Sequence, residues 1–299
     1  MPTERLDRYK EIIPSWEAFL AACERPLPPV IRTNTLRCAP QALTSRLEAM
    51  GVSVDPYPWE PALVRLNRSV SRTLEHWLGL FYVQEATQAV PVLALDPQPG
   101  ETVLDLCAAP GGKTTHIAAR MKNRGTLVAN EPNGRRQQAL LANINRVGAV
   151  NITVTQYRGE SFPHGSHFDR VLVDAPCSAE GTLRKQASLR NGATQAAISR
   201  LARMQERLIL HGFDLLRSDG VLVYSTCTLA PEENEAIVAR LLSERDAVVR
   251  PPDLHVPACP GLTEWNGTRF PDQLANCRRI YPHHFDSGGG FVARIERAV

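Results

Sequence analysis

The chain has 299 residues, 43% of them hydrophobic, which is enough to bury one large domain or a large domain with a small companion. Its 34 basic and 31 acidic residues leave a formal net charge of +3, too small to imply a nucleic-acid partner by itself. No run approaches about 18 uninterrupted apolar residues, so no membrane-spanning helix is expected. The charged start MPTERLDRYK has no apolar signal region, and a cytoplasmic location is expected.

The first part of the chain reads as a small α+β module. PPVIRTNTL (28–36) is strand-like, PQALTSRLEAMG (40–51) is a helix closed by Gly51, and PYPWEPALVRL (56–66) sets prolines between extended pieces. The boundary is expected at residue 74, with 75–95 bridging to the larger domain. From about residue 100 short apolar strands alternate with helices. ETVLDLCA, TLVANE, NITVTQY, FDRVLVDAP and GVLVYSTC read as five strands, with helices over 113–123, 133–148 and about 198–216, and a further helix over PEENEAIVARLLSE (231–244). This order predicts a doubly wound, mostly parallel α/β sheet covered on both faces. The stretch 251–290 is rich in proline and glycine and is expected to form long loops. GGGFVARIERAV (288–299) reads as a last strand, expected at a sheet edge.

LDLCAAPGGKTTHIA joins the first strand of the larger domain to its first helix, where doubly wound sheets dock ligands. GGKT is not a phosphate loop, because Cys107 stands where G-x-x-x-x-G-K-[ST] needs its first glycine; nor is G-x-G-x-x-G present. Pro110, Gly111 and Gly112 let the backbone pass close to a ligand. Glu131 closes the second strand, 19 residues after Gly112, where an acid can accept bonds from both ribose hydroxyls of an adenosine group. A close turn with a ribose acid and no phosphate motif suits an adenosine ligand without phosphates, and S-adenosylmethionine fits.

Two strands end on thiols, Cys177 after RVLVDAP and Cys227 after VLVYST. Core filling, a disulfide, metal ligation and nucleophilic catalysis are the available readings. A reducing compartment and an odd count of seven cysteines with no C-x-x-C pair disfavour a disulfide. Metal binding needs three or four ligands, and His283 and His284 after Cys277 show no usual ligand spacing. Both thiols should emerge at the carboxyl edge of a parallel sheet, beside the cofactor loop and Asp174. A thiol, an acid and a methyl donor together suit methylation of a pyrimidine ring carbon. A thiolate adds to carbon 6 of cytosine and activates carbon 5, while a carboxyl that is protonated or shares a proton stabilises ring nitrogen 3.

These residues bring a family into view. RTNTL, YVQEAT, LDLCAAPGGKTTHIA, ANE, DAPCSAEGTLRK, YSTCTLAPEENEAIV and GGGFVARI occur in family order over almost the whole chain, which resembles the RNA cytosine-carbon-5 methyltransferases. The family includes bacterial ribosomal RNA enzymes and eukaryotic nucleolar and tRNA enzymes. The resemblance implies a Rossmann-like methyltransferase domain over 75–299 and an N-terminal RNA-binding module over 1–74, similar to an RNA recognition motif. It implies that Cys227 is the nucleophile and that Cys177 assists release of the methylated RNA. Asp174 would border both cofactor and base. Cys107, Ala108, Ala109, Pro110, Gly111, Gly112 and Lys113 would hold S-adenosylmethionine, with Glu131 on its ribose. The implied substrate is ribosomal or transfer RNA.

The sequence departs from the family where an Asp-Gly pair near the adenine is replaced by Arg158-Gly159, leaving Glu160 or backbone groups to serve. Larger bacterial members carry a further C-terminal RNA-binding domain, whereas this sequence ends at its expected last strand. Between Thr182 and Gln205 there is no acid, and Arg184, Lys185, Arg190, Arg200 and Arg203 make either a solvated face or a phosphate-contacting rim. The second reading has Arg184, Lys185 and the basic stretch after them gripping RNA phosphates, with Arg32 and Arg37 adding to the grip.

Overall fold

The computed structural model describes residues 4–165, 167–185 and 191–298. Helices α1 (Glu4–Asp7) and α2 (Trp16–Glu24) come first. Strands β1 (Val30–Thr33), β2 (Val54–Tyr57), β3 (Glu60–Leu66) and β4 (Phe81–Val83) form an antiparallel sheet in the order β2-β3-β1-β4. Helix α3 (Pro40–Ala49), started by a proline whose missing N–H costs nothing there, lays Leu43 and Leu47 on Ile31, Val64 and Phe81. The short helix α4 (Leu74–Trp77) leads into β4. The small sheet thus continues past residue 74, because β4 pairs with β1, Tyr82 opposite Arg32.

The larger domain opens with α5 (Val90–Leu95), β5 (Thr102–Asp105), α6 (Gly112–Arg120), β6 (Thr126–Asn130), α7 (Gly134–Val147) and β7 (Ile152–Thr155). It continues with β8 (Phe168–Asp174), α8 (Gln195–Asp214), β9 (Leu216–Thr226), α9 (Glu235–Glu244) and β10 (Ala247–Arg250). Strands β5 to β9 are parallel in the order β9-β8-β5-β6-β7, the doubly wound arrangement expected from the alternation. Alternate residues go to opposite faces. Val171, Val173, Leu222 and Tyr224 pack with Leu208 and Phe213 on one side, and Leu172, Val221 and Val223 with Ile117 and Val92 on the other.

Three local expectations are corrected. The stretch 251–290 is not only loop: it holds β11 (Cys259–Pro260), the hairpin β12 (Glu264–Trp265) and β13 (Thr268–Arg269), and β14 (Arg278–Ile280). The last strand, β15 (Gly290–Arg297), is not at an edge. It lies antiparallel between β9 and β14 and also pairs with β10. Its run of buried residues, Gly290 to Ala293, fits that interior place. The expected helix over 231–244 is split into a 3-10 turn, Pro231–Glu233, and α9. Asn234 leaves helical geometry at φ −115°, because Thr226 Oγ1 donates to its Oδ1 at 2.6 Å and its Nδ2 donates to Thr228 O at 3.3 Å.

The loop after β9 is anchored from behind by a buried ion pair. The Arg279 guanidinium bonds both oxygens of Glu235, one at 2.6 Å, and also donates to Leu229 O at 3.0 Å. Leaving one partner of a buried pair alone is strongly destabilising, whereas apolar replacement of both is tolerated. Arg279→Ala is expected to lower the free energy of unfolding by about 3–5 kcal/mol, and Arg279→Met with Glu235→Leu by less than the single change. Urea denaturation followed by circular dichroism measures both; a double variant weaker than the single would refute the charge argument.

Candidate active site

Strands β8 and β9 are paired so that Asp174 lies opposite Ser225. Each strand then runs out into a loop, one carrying Cys177 and the other Cys227. The two sulfurs stand 3.3 Å apart, and the Cys227 N–H also donates to Cys177 Sγ at 3.3 Å. Beside them β5 passes into the loop Cys107–Lys113 and then α6. Gly111 has φ 103°, a conformation that disfavours a side chain, and a Cβ at Gly112 would meet the Tyr82 ring at 3.3 Å. Lys113 is only 8% exposed and reaches back across the loop. It donates to Asp174 Oδ2 at 2.7 Å and Gln88 Oε1 at 2.5 Å, while Ser225 Oγ donates to Asp174 Oδ1 at 2.8 Å.

Lys113, Asp174, Gln88 and Tyr82 wall one cavity of about 350 Å³ that also meets Asp105, Cys107, Ala108, Ala109, Pro110 and Gly112. Cys227 lines it, and Cys177 stands behind Cys227. The hydrogen bond from Cys177 holds the Cys227 pKa below that of an ordinary thiol; burial and Asp174 oppose this, and the Lys113 ammonium assists. Cys177 is driven well above the ordinary range by the same bond, then by burial. The bond between the sulfurs therefore favours negative charge on Cys227 over Cys177. Burial pushes Cys107 well above the thiol range, so it stays neutral. Burial disfavours the charge on Lys113, but attraction to Asp174 outweighs it and raises the pKa.

Glu131 is 1% exposed. Its Oε1 accepts the Asn133 N–H at 2.9 Å and its Oε2 holds Arg136 at 3.2 Å. Arg136 in turn donates to Ala109 O at 2.9 Å, which ties Glu131 to the glycine loop. Arg158 is exposed and pairs with Glu160 at 3.2 Å.

The basic stretch behaves differently from the expected phosphate grip. Arg184 is buried, donating to the carbonyls of Arg25, Pro26 and Ser287 and pairing with Asp286 at 2.8 Å, so it fastens loops together and cannot meet phosphate. Arg32 is buried too, held by Gln84 at 2.7 Å and Thr115 at 3.0 Å. Arg37 donates to Val147 O at 3.1 Å, at the carboxyl end of α7. Lys185 stays at the cavity mouth, paired with Glu85 at 2.6 Å, and Arg200 and Arg203 are exposed on α8. Arg190 lies outside the described residues. Among the described residues, no group of three or more His, Cys, Asp or Glu side chains could hold a metal ion, and no helix is long and apolar enough to cross a membrane.

Residues 92–296 match the family model described as 16S rRNA methyltransferase RsmB/F, and residues 1–86 match the N-terminal domain of 16S rRNA methyltransferase RsmF. The chain belongs to the RsmB/F methyltransferase family. It is 40% identical over 291 residues to the 26S rRNA (cytosine-C(5))-methyltransferase nsun-1 of Caenorhabditis elegans, covering 93% of this chain but 43% of that protein. It is 36% identical to the tRNA (cytosine(49)-C(5))-methyltransferase of Pyrococcus abyssi, over 98% of this chain and 95% of that one. The crystal structure of a methyltransferase homolog from Pyrococcus horikoshii superposes over the whole of both chains with a TM-score of 0.85 at 32% identity.

In this RsmB/F-family chain the sequence reading missed Asp105, Gln88 and Ser225. Asp105 was in view as a charge inside an apolar strand. Gln88 and Ser225 carry no such signal, since neutral polar residues look alike on a core turn and on a surface. The S–H···S bond gives a direct test of the thiol pair. Alkylation of Cys227 by iodoacetamide, followed by peptide mass spectrometry across pH, is expected to titrate below an ordinary thiol. In Cys177→Ala, which removes the donor, the midpoint moves to higher pH. An unmoved midpoint means that Cys177 does not stabilise the thiolate.

Proposed function

We propose that this chain is an S-adenosylmethionine-dependent RNA cytosine-C5 methyltransferase acting on ribosomal or transfer RNA. The observation that carries the reading is the Cys227 sulfur, backed at 3.3 Å by that of Cys177, in the same cavity as the Asp174–Lys113 pair and the glycine loop.

The residues present suit the proposed cofactor. Asp105 lines the cavity with one carboxyl oxygen, Oδ1, buried and without a hydrogen-bond partner. Burial pushes its pKa up to about 7, partly offset by the Thr114 hydroxyl, so a cationic ligand that pairs with it favours the carboxylate. Cys107, Ala108, Ala109, Pro110, Gly111 and Gly112 would give the ligand a backbone cradle, with Lys113 at its end and Glu131 serving the ribose. S-adenosylmethionine, when bound, supplies the electrophilic methyl group that carbon 5 takes.

The chain's residues do the rest. Cys227 adds as thiolate to carbon 6 of the cytosine, forming the S–C6 bond and moving the ring double-bond electrons toward carbon 5. Asp174, in contact with the Lys113 ammonium, has a proton donor at hand while it faces ring nitrogen 3. After methylation a base takes the proton from carbon 5. The electrons of that C–H bond restore the ring double bond, and the S–C6 electrons leave with Cys227. Cys177 assists this release by donating its S–H to the departing thiolate. A base buried in a helix stack cannot reach this cavity, so the target cytosine must be unpaired or flipped out. Of the described cations in the basic stretch, Lys185, Arg200 and Arg203 are exposed and could meet RNA phosphate.

Labelled S-adenosylmethionine with separate transfer and ribosomal RNA pools tests the activity. Wild-type protein is expected to label one pool at cytosine carbon 5, and Cys227→Ala neither. Cys177→Ala is expected to accumulate a protein–RNA adduct that survives denaturation. Transfer to neither pool, with cofactor binding confirmed, would make the chain an RNA-binding protein instead. An adduct formed by Cys227→Ala and not by Cys177→Ala would reverse the two roles.

A further inference from the structure

Cys177 reaches its partner sulfur from a loop, with no strand pairing beyond Ala175 to hold it. Besides a bond between the Ser178 and Thr228 hydroxyls at 2.6 Å, a pair of fully buried polar side chains from two other elements holds it. Gln205, midway along α8, donates its Nε2 to Pro176 O at 2.8 Å and to Glu233 Oε2 at 2.8 Å. Glu233, from the 3-10 turn after Cys227, accepts the Ser178 N–H on that same Oε2 at 3.0 Å. The carbonyl before Cys177 and the N–H after it are thus gripped by one linked pair. Glu233 is itself pinned, since Tyr224 OH donates to its backbone carbonyl at 2.6 Å.

This clamp is a poor way to build a core. The second oxygens of both side chains, Gln205 Oε1 and Glu233 Oε1, are buried without partners. Apolar residues of similar size would fill the space without that penalty. The clamp makes sense where the placement of one sulfur matters more than local stability. The Cys177 thiol serves Cys227 only while the sulfurs stay in hydrogen-bonding contact. We infer that Glu233 and Gln205 are positioning residues for release: they fix the Cys177 thiol against Cys227 by holding the peptide groups on either side of it. The inference rests on the proposed role of Cys177. Burial raises the Glu233 pKa, so a neutral amide is a fair mimic of its side chain.

The test compares Glu233→Ala, Gln205→Ala, Glu233→Gln and Cys177→Ala in single-turnover and steady-state methyl transfer to whichever RNA pool the wild type labels. Denaturing gels report the covalent adduct. Glu233→Ala and Gln205→Ala are expected to slow the first transfer much less than turnover, which falls on the order of 10²-fold, and to accumulate adduct, as a misplaced reacting group would. Glu233→Gln keeps the oxygen that meets Ser178 and is expected to restore turnover. Neither alanine change should add to Cys177→Ala. A variant that slows the first transfer and turnover equally with no adduct, or that adds to Cys177→Ala, overturns the clamp. If Cys177→Ala itself forms no adduct, the parent reading of Cys177 fails and the clamp falls with it. Should Glu233→Ala not fold, Gln205→Ala leaves the Glu233–Ser178 bond in place and decides the same question.

Discussion

The alignment of Asp174 with Ser225 across β8 and β9 is the constraint on which the site depends. From that point one chain runs three residues to Cys177 and the other two residues to Cys227, and the sulfurs meet. A slip of one residue would turn every side chain of a strand to the other face. Asp174 would leave Lys113 and the sulfurs would part. What forbids the slip is the core. Val171 and Val173 face the α8 side with Leu222 and Tyr224, and Leu172 faces the α6 side with Val223. A slipped strand would exchange these two packed sets, so the same apolar contacts that stabilise the sheet fix the distance between two thiols beyond its edge.

Past the strand ends, buried carboxylates take over from the ladder. Glu85, Glu180, Glu233 and Glu235 surround the two thiol loops with almost no exposure. Burying an acid is costly unless it is bonded, and each is. Glu85 holds Lys185 and the Ser287 hydroxyl, and Glu235 holds Arg279. Glu180 accepts from Tyr9 OH at 2.6 Å and the Ala193 N–H at 2.9 Å. Loop backbone lacks ladder partners, and these acids supply acceptors in their place. Because Tyr9 lies in the turn just after α1, the N-terminal segment is fastened to the loop that follows Cys177. That segment shares an apolar cluster with Leu183, Ile198 and Leu229. The N-terminal residues thereby pack on the larger domain, beside the loop that follows Cys177.

Much of this could be read from the sequence, for a local reason. Alternating apolar runs with glycine stops disclosed the parallel strands and their helices. Strand-end residues such as Asp174, Cys177 and Cys227 were visible because a parallel sheet gathers such ends at one edge. Properties set by distant chain were not legible. Arg184 and Lys185 are neighbours of the same charge, yet one is buried and the other exposed. The difference comes from the carbonyls of Arg25, Pro26 and Ser287, far away in sequence. The last strand was recognisable as a strand, but its place between β9 and β14 is a matter of partners, which its own residues do not encode. Gln88 and Gln205 are neutral residues whose importance lies wholly in what they meet. Spacing alone left the roles of the thiols open, and only the resemblance assigned them.

The bias of the thiol pair toward charge on Cys227 gives a physical reason for having two thiols. In the proposed reaction Cys227 must be an anion twice, before it adds to the ring and after it leaves. Between those moments it is a thioether, which accepts hydrogen bonds poorly. A donor at 3.3 Å therefore stabilises both ends of the cycle and not the middle. Lys113 favours the anion as well, but it is already committed to Asp174 and Gln88. Removing the Cys177 donor weakens thiolate formation and, by the same amount, thiolate departure. The adduct, which never used that bond, becomes the favoured state. In the proposed reaction a second thiol would thus keep the covalent intermediate from becoming the resting state.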